Sequence, residues 1–125
     1  MEIGEETRVL IVDDFNTSRR MIRQTLKDLG TELCNEAKDP DEAIKLLERY
    51  QYHLVLVDWY MDRSRGVDLV KQIRETHSKK SLPVLLMLMD PLDDQLAMGK
   101  AAGITAHILK PFDAGTLSKT LMGFE

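Results

Sequence analysis

The run His53-Leu54-Val55-Leu56-Val57-Asp58 limits the fold more than any other stretch of the chain. It has the length of a strand, is apolar and partly β-branched, and ends in a single acid. Near-continuous apolarity means that both faces are buried, as in a parallel sheet covered by helices. Asp58 then stands at the carboxyl end of a central strand, where open α/β sheets place their ligand sites. Two other runs end in charge the same way: Val9-Leu10-Ile11-Val12 leads into Asp13-Asp14, and Ile104 to Leu109 leads into Lys110-Pro111. As parallel neighbours, these strands would bring three carboxylates and one ammonium to one edge of the sheet.

The remaining segments fit between these strands. Thr7 to Val12 reads as the first strand, with residues 1–6 polar and loose before it. A helix over Ser18 to Leu29, capped by Asn16, turns Ile22, Leu26 and Leu29 inward and stops at Gly30. Arg19, Arg20, Arg23 and Lys27 fill its solvated face. Glu32 to Ala37 is a more polar strand suited to a sheet edge. Asp39-Pro40-Asp41-Glu42 starts a helix with a capping acid and proline in the first turn, and it runs to about Tyr50. Gly66 opens a third helix, with Val70 and Ile73 inward and Lys71, Arg74 and Glu75 outward. Pro83 to Met89 is a strand, Asp90-Pro91 caps a fourth helix ending near Gly103, and Asp113 caps a fifth carrying Leu117, Leu121 and Phe124. Right-handed crossovers in this β-α alternation predict a doubly wound, five-stranded parallel sheet with helices on both faces.

With 125 residues, 43% of them hydrophobic, the chain supports one domain with a substantial core. A net charge of -4 argues against non-specific nucleic-acid binding. No apolar run approaches membrane-spanning length, and no leader or attached output domain is legible, so the expectation is a monomeric cytoplasmic domain over 1–125 without membrane insertion. Cys34 has no partner for an internal disulfide and reads as a buried strand residue. His53, His77 and His107 lack metal-ligand spacing. Met61, Met87, Met89 and Met98 read as core filling. With no glycine-rich phosphate loop and no Walker lysine, nucleotide binding is not expected.

Val12-Asp13-Asp14-Phe15 and Thr17 to Arg23, then Asp58-Trp59, Gly66, Leu82-Pro83-Val84 and Lys110-Pro111-Phe112, together resemble a bacterial two-component response-regulator receiver domain. Within that family the chain is most similar to the single-domain chemotaxis regulators of the CheY type. Flavodoxin and those regulators are the type cases of strand order 2-1-3-4-5, so that order comes with the resemblance. The resemblance implies Asp58 as phosphoacceptor and Lys110 as its phosphate partner, with Mg²⁺ held directly by Asp14, Asp58 and the main-chain carbonyl of Tyr60 and by Asp13 largely through water. The chemistry agrees: a phosphoryl group can join a carboxylate only where its spreading negative charge is neutralised. Singly the motifs are weak, since Asp13-Asp14 could be a turn with a helix cap and Lys110-Pro111 a strand end.

Leu88, His107 and Tyr60 depart from the family pattern. Leu88 stands where a Ser or Thr ends the fourth strand and donates to the phosphoryl group. His107 replaces the aromatic residue that swings inward when that hydroxyl moves. Tyr60 and Asp90 occupy the positions that family experience ties to phosphate lifetime. Two functions follow. In one, the chain is a receiver fed by a sensor histidine kinase, of the CheA type in a chemotaxis setting, and acts as messenger or phosphate sink. In the other it is a pseudo-receiver that binds a downstream protein, such as the flagellar motor switch, through its fourth helix, fifth strand and fifth helix regardless of phosphorylation. Beyond self-phosphorylation from a donor and autodephosphorylation, no enzyme activity is expected: haloacid-dehalogenase-type phosphatases need an acid where Tyr60 stands.

Overall fold

The computed structural model describes residues 1–61 and 63–124. Asp62 and Glu125 lie outside them. Five parallel strands form the main sheet: β1 (Val9–Val12), β2 (Cys34–Ala37), β3 (Leu54–Asp58), β6 (Val84–Leu88) and β7 (Ala106–Leu109). A short antiparallel pair, β4 (Tyr60–Met61) and β5 (Ser64–Arg65), follows β3. The order β2-β1-β3-β6-β7 is the expected 2-1-3-4-5 order once that unforeseen hairpin is counted. Its turn includes Arg63 in the left-handed region, at φ 65°.

Strand side chains alternate between two cores. Leu10, Val12, Val55, Val57, Leu86 and Leu88 face α2 (Pro40–Arg49), α3 (Gly66–Arg74) and α4 (Asp93–Ala102). Val9, Ile11, Leu54, Leu56, Leu85 and Met87 face α1 (Asn16–Leu29) and α5 (Ala114–Met122). Burial on both faces explains why the strands are apolar nearly throughout. β1 and β3 lie side by side, with Val12 opposite Val57, so Asp13 and Asp58 leave the sheet at the same edge.

Two helix caps stand as expected: Asp39 accepts from the Glu42 amide and Asp113 from the Thr116 amide, both at 2.8 Å. Two do not. Phe15, not Asn16, is the N-cap of α1; the Asp13 carboxylate already accepts the Phe15 amide and turns the chain one residue earlier, leaving Asn16 helical. The fourth helix begins at Asp93 rather than at Asp90-Pro91, with Leu92 as its N-cap; proline keeps the residue before it out of helical geometry. Residues 1–6 are tied rather than loose, since the Met1 amino group donates to the Leu121 carbonyl at 2.9 Å and Ile3 packs on the α1–α5 core.

Three arginines expected on outward faces are structural. Arg19 donates to Glu36 at 3.0 Å and to the Asp13 carbonyl at 2.6 Å, and Arg23 donates to the other Glu36 oxygen at 2.9 Å. Together they clasp α1 to the edge strand β2. Arg74 folds back onto the carbonyls of Gly103, Leu82 and Ser78. Cys34 is buried, and burial pushes its thiol pKa up, as suits an inert strand residue. Met61 and Met87 fill the core and Met98 packs on its edge, but Met89 is 72% exposed because it follows the last residue of β6.

Candidate functional site

The site rests on three strand ends. Asp13 follows β1, Asp58 closes β3 and Lys110 follows β7. One carboxylate oxygen from each of Asp13, Asp14 and Asp58 lies within 4.8 Å of the other two. Asp13 is fully buried, Asp58 half-buried and Asp14 exposed. Lys110 Nζ is 2.7 Å from Asp13 Oδ2 and 3.5 Å from Asp58 Oδ1, so the ammonium is paired mainly with Asp13 and leans toward Asp58. The Lys110 amide donates to the Leu88 carbonyl at 2.7 Å, continuing the sheet ladder beyond the strand and fixing where the lysine starts.

A buried carboxylate must have its oxygens satisfied. Asp13 Oδ1 accepts the Phe15 amide at 2.9 Å, while Oδ2 accepts both Lys110 and the Ser18 hydroxyl, the latter at 2.5 Å. Among the described residues, Lys110 is the side chain paired with Asp58, at 3.5 Å. Burial raises the Asp58 pKa to about 6; Lys110 lowers it, and the charges of Asp13 and Asp14 raise it further. Asp58 is therefore a carboxylate held at an electrostatic disadvantage, which a cation or a proton relieves.

The loop after β3 is pinned on both sides. The Trp59 amide donates to the Met87 carbonyl at 2.9 Å, and the Gly66 amide donates to the Trp59 carbonyl at 2.7 Å. A Cβ on Gly66 would lie 2.0 Å from the Asp58 carbonyl oxygen, so only glycine allows α3 to start this close to Asp58. Tyr60 begins β4 immediately beyond, with its ring exposed. Phe15, Tyr60, Met89 and Leu92, each at least half exposed, rim the cleft above Asp58, and Asp90 lies on the same wall. Leu88 is 1% exposed and belongs to the α2–α4 core, whereas His107 is exposed on the outer strand opposite Leu86.

Sequence reasoning missed Ser18, Arg19 and the Leu88 carbonyl as members of this site. Only Ser18 left a trace, as a polar residue in the first turn of a helix that starts beside two acids.

The family model for the response regulator receiver domain matches residues 9–122. The chain is 37% identical to the chemotaxis protein CheY-3 of Vibrio cholerae serotype O1 over 119 residues, which cover 95% of this chain and 92% of that protein. It is 35% identical to the chemotaxis protein CheY of Pseudomonas aeruginosa over 114 residues, covering 91% and 92%. The solved structure of Vibrio cholerae CheY4, crystallised at pH 4.0, superposes with a TM-score of 0.86 at 32% identity, covering 95% of this chain and 98% of that one.

Proposed function

The chain belongs to the response regulator receiver domain family, and from that premise we propose that it accepts a phosphoryl group from a sensor histidine kinase onto Asp58. The observation that carries this reading is the convergence of Asp13, Asp14 and Asp58 within 4.8 Å, with Lys110 Nζ 3.5 Å from the acceptor. In the transfer, an Asp58 carboxylate oxygen attacks the phosphorus of a phosphohistidine. The phosphorus–nitrogen bond breaks, the imidazole nitrogen leaves with the electron pair, and a proton from water completes the ring. Lys110 is a point charge for an incoming phosphoryl oxygen. The depth of Asp13 and the backbone anchors of Trp59 and Gly66 hold the acceptor in place.

Three carboxylates within reach of one another, one of them exposed, suit a hard divalent cation that keeps several of its waters. Asp14, Asp58 and the Tyr60 main-chain carbonyl would hold Mg²⁺ directly, and Asp13 through water. When bound, the ion supplies neutralisation of the charge that spreads over the transferring oxygens. Tyr60 and Asp90 stand on the walls of the cleft, where they govern access of water to the phosphoryl group and so its lifetime.

The test is incubation with phosphoramidate and Mg²⁺ followed by intact mass. One added phosphoryl group is expected, lost in Asp58→Asn; no mass increase in the wild-type chain would sink the reading. Losing the switch hydroxyl removes one hydrogen bond to a charged group, worth roughly 1.5–3 kcal/mol, so slower modification is expected rather than none. One observation favours a second reading. Leu88 is buried in the core with no hydroxyl to move, which supports a phosphate sink or a pseudo-receiver binding its target through α4, β7 and α5. The chemotaxis relatives make a CheA-type kinase the candidate donor and the flagellar motor switch the candidate target.

A further inference from the structure

Asp13 Oδ2 carries two side-chain donors at once, the Lys110 ammonium at 2.7 Å and the Ser18 hydroxyl at 2.5 Å. Lys110 is 3.5 Å from Asp58 Oδ1, so a shift toward a phosphoryl group on Asp58 loosens its 2.7 Å bond to Asp13. That step would strip a charge-assisted hydrogen bond from a carboxylate with no exposure to water, which is costly unless another donor remains. From this geometry we infer that Ser18 is a positioning residue for phosphoryl transfer, its hydroxyl holding Asp13 when Lys110 turns to the phosphoryl group. The inference deepens the phosphoacceptor reading and rests on it for its functional meaning.

The structure places Ser18 well for this role. It sits in the first turn of α1, and its hydroxyl reaches back to the residue after β1. Arg19 holds the Asp13 carbonyl and the Phe15 amide holds Oδ1, so the carboxylate cannot swing after the departing lysine. Asp13 can then release Lys110 without moving. The hydroxyl comes from α1 and bonds the residue after β1, whereas the family's switch hydroxyl stands at the end of β6, with β3 between those two strands. The Ser18 hydroxyl therefore does not restore the lost signal to α4, β7 and α5; it eases the lysine's departure.

Two measurements decide the matter. The first is a double-mutant cycle in Mg²⁺-free buffer without any phosphodonor, comparing urea unfolding of wild type, Ser18→Ala, Lys110→Met and the double variant. With the ammonium gone, Ser18 is the remaining side-chain donor on Oδ2. Ser18→Ala should then lower the folding constant about tenfold more in the Lys110→Met background than alone. Equal losses in the two backgrounds would overturn the inference. The second measurement is the rate of modification by phosphoramidate at saturating Mg²⁺. Ser18→Ala should lower the maximal rate about tenfold at an unchanged half-saturating donor concentration, and Ser18→Thr, which keeps the hydroxyl, should restore it. A Ser18→Ala rate equal to wild type, or no rescue by threonine, also overturns it. Failure of wild type to be modified would refute the phosphoacceptor reading, while the unfolding cycle still decides whether Ser18 holds Asp13 in place of the lysine.

Discussion

Asp58 concentrates the electrostatic cost of the fold. Its pKa is raised from 3.8 to about 6, first by burial and then by the neighbouring acids. A carboxyl whose pKa is higher in the folded state keeps its proton there while the unfolded chain has already lost it. Its ionisation therefore costs nothing below about pH 4, grows through the window from about 4 to 6, and stays at its full value above. Asp58→Asn should be more stable than wild type at pH 7 by up to about 3 kcal/mol, and the difference should vanish near pH 4. Urea unfolding across that range checks this; a constant difference would contradict it. For the same reason millimolar Mg²⁺ should raise Tm more at pH 7 than at pH 5, where protons compete for Asp58. Scanning calorimetry at the two pH values reads the effect, and an unchanged Tm at both would count against a cation site.

Among the elements, the junction of β3 with α3 is tight. The Cβ of Gly66→Ala would meet the Asp58 carbonyl oxygen at 2.0 Å and Val57 Cγ1 at 2.8 Å, and the first of these is backbone with nowhere to go. Either α3 or the end of β3 must shift. Gly66→Ala should cost about 2–4 kcal/mol in chemical denaturation and shrink the rise in Tm that Mg²⁺ gives at pH 7. A variant as stable as wild type would show that the junction has slack. On the far side of the same helix, Arg74 bonds the carbonyls of Gly103, Leu82 and Ser78 and so ties α3 to the end of α4 and the entry to β6. Arg74→Met keeps much of the stem but loses these bonds, for an expected loss of about 2–3 kcal/mol by urea unfolding.

For the molecule as a whole, the question is how far a change at Asp58 travels. A ligand shifts a two-state protein only through its differential affinity for the two states. Leu88 is packed in the core, and His107 is already exposed, with little burial to exchange. Phosphoryl contacts with Lys110 can still act through the Leu88 carbonyl that the Lys110 amide holds. Coupling between Asp58 and the α4–β7–α5 face should thus fall below the roughly 1–3 kcal/mol usual for allostery. Backbone amide NMR with and without beryllofluoride tests this: large shifts are expected around Asp58 and small ones from Ala97 through Leu117. Comparable shifts in both regions would show that the relay runs by another route.

The fold class was legible in local and periodic signals. Apolar runs too long and too uniform to have a wet face required a parallel sheet between two helical layers, and the charges closing three runs marked the edge where chemistry could occur. Asp39 and Asp113 were legible as caps because a cap bonds an amide three residues away. Contacts between distant segments were not legible. Asn16 looked like a cap until Asp13 claimed the Phe15 amide, and Arg19, Arg23 and Arg74 looked solvated because periodicity tells which face a residue occupies but not what a long side chain can reach across it. Met89 looked like core from its apolarity, yet β6 stops one residue before it. The tertiary structure alone decided that Lys110 pairs more closely with Asp13 than with Asp58 and that Ser18 shares that oxygen. Those distances depend on how β1, β7 and α1 pack against one another, which no local pattern specifies.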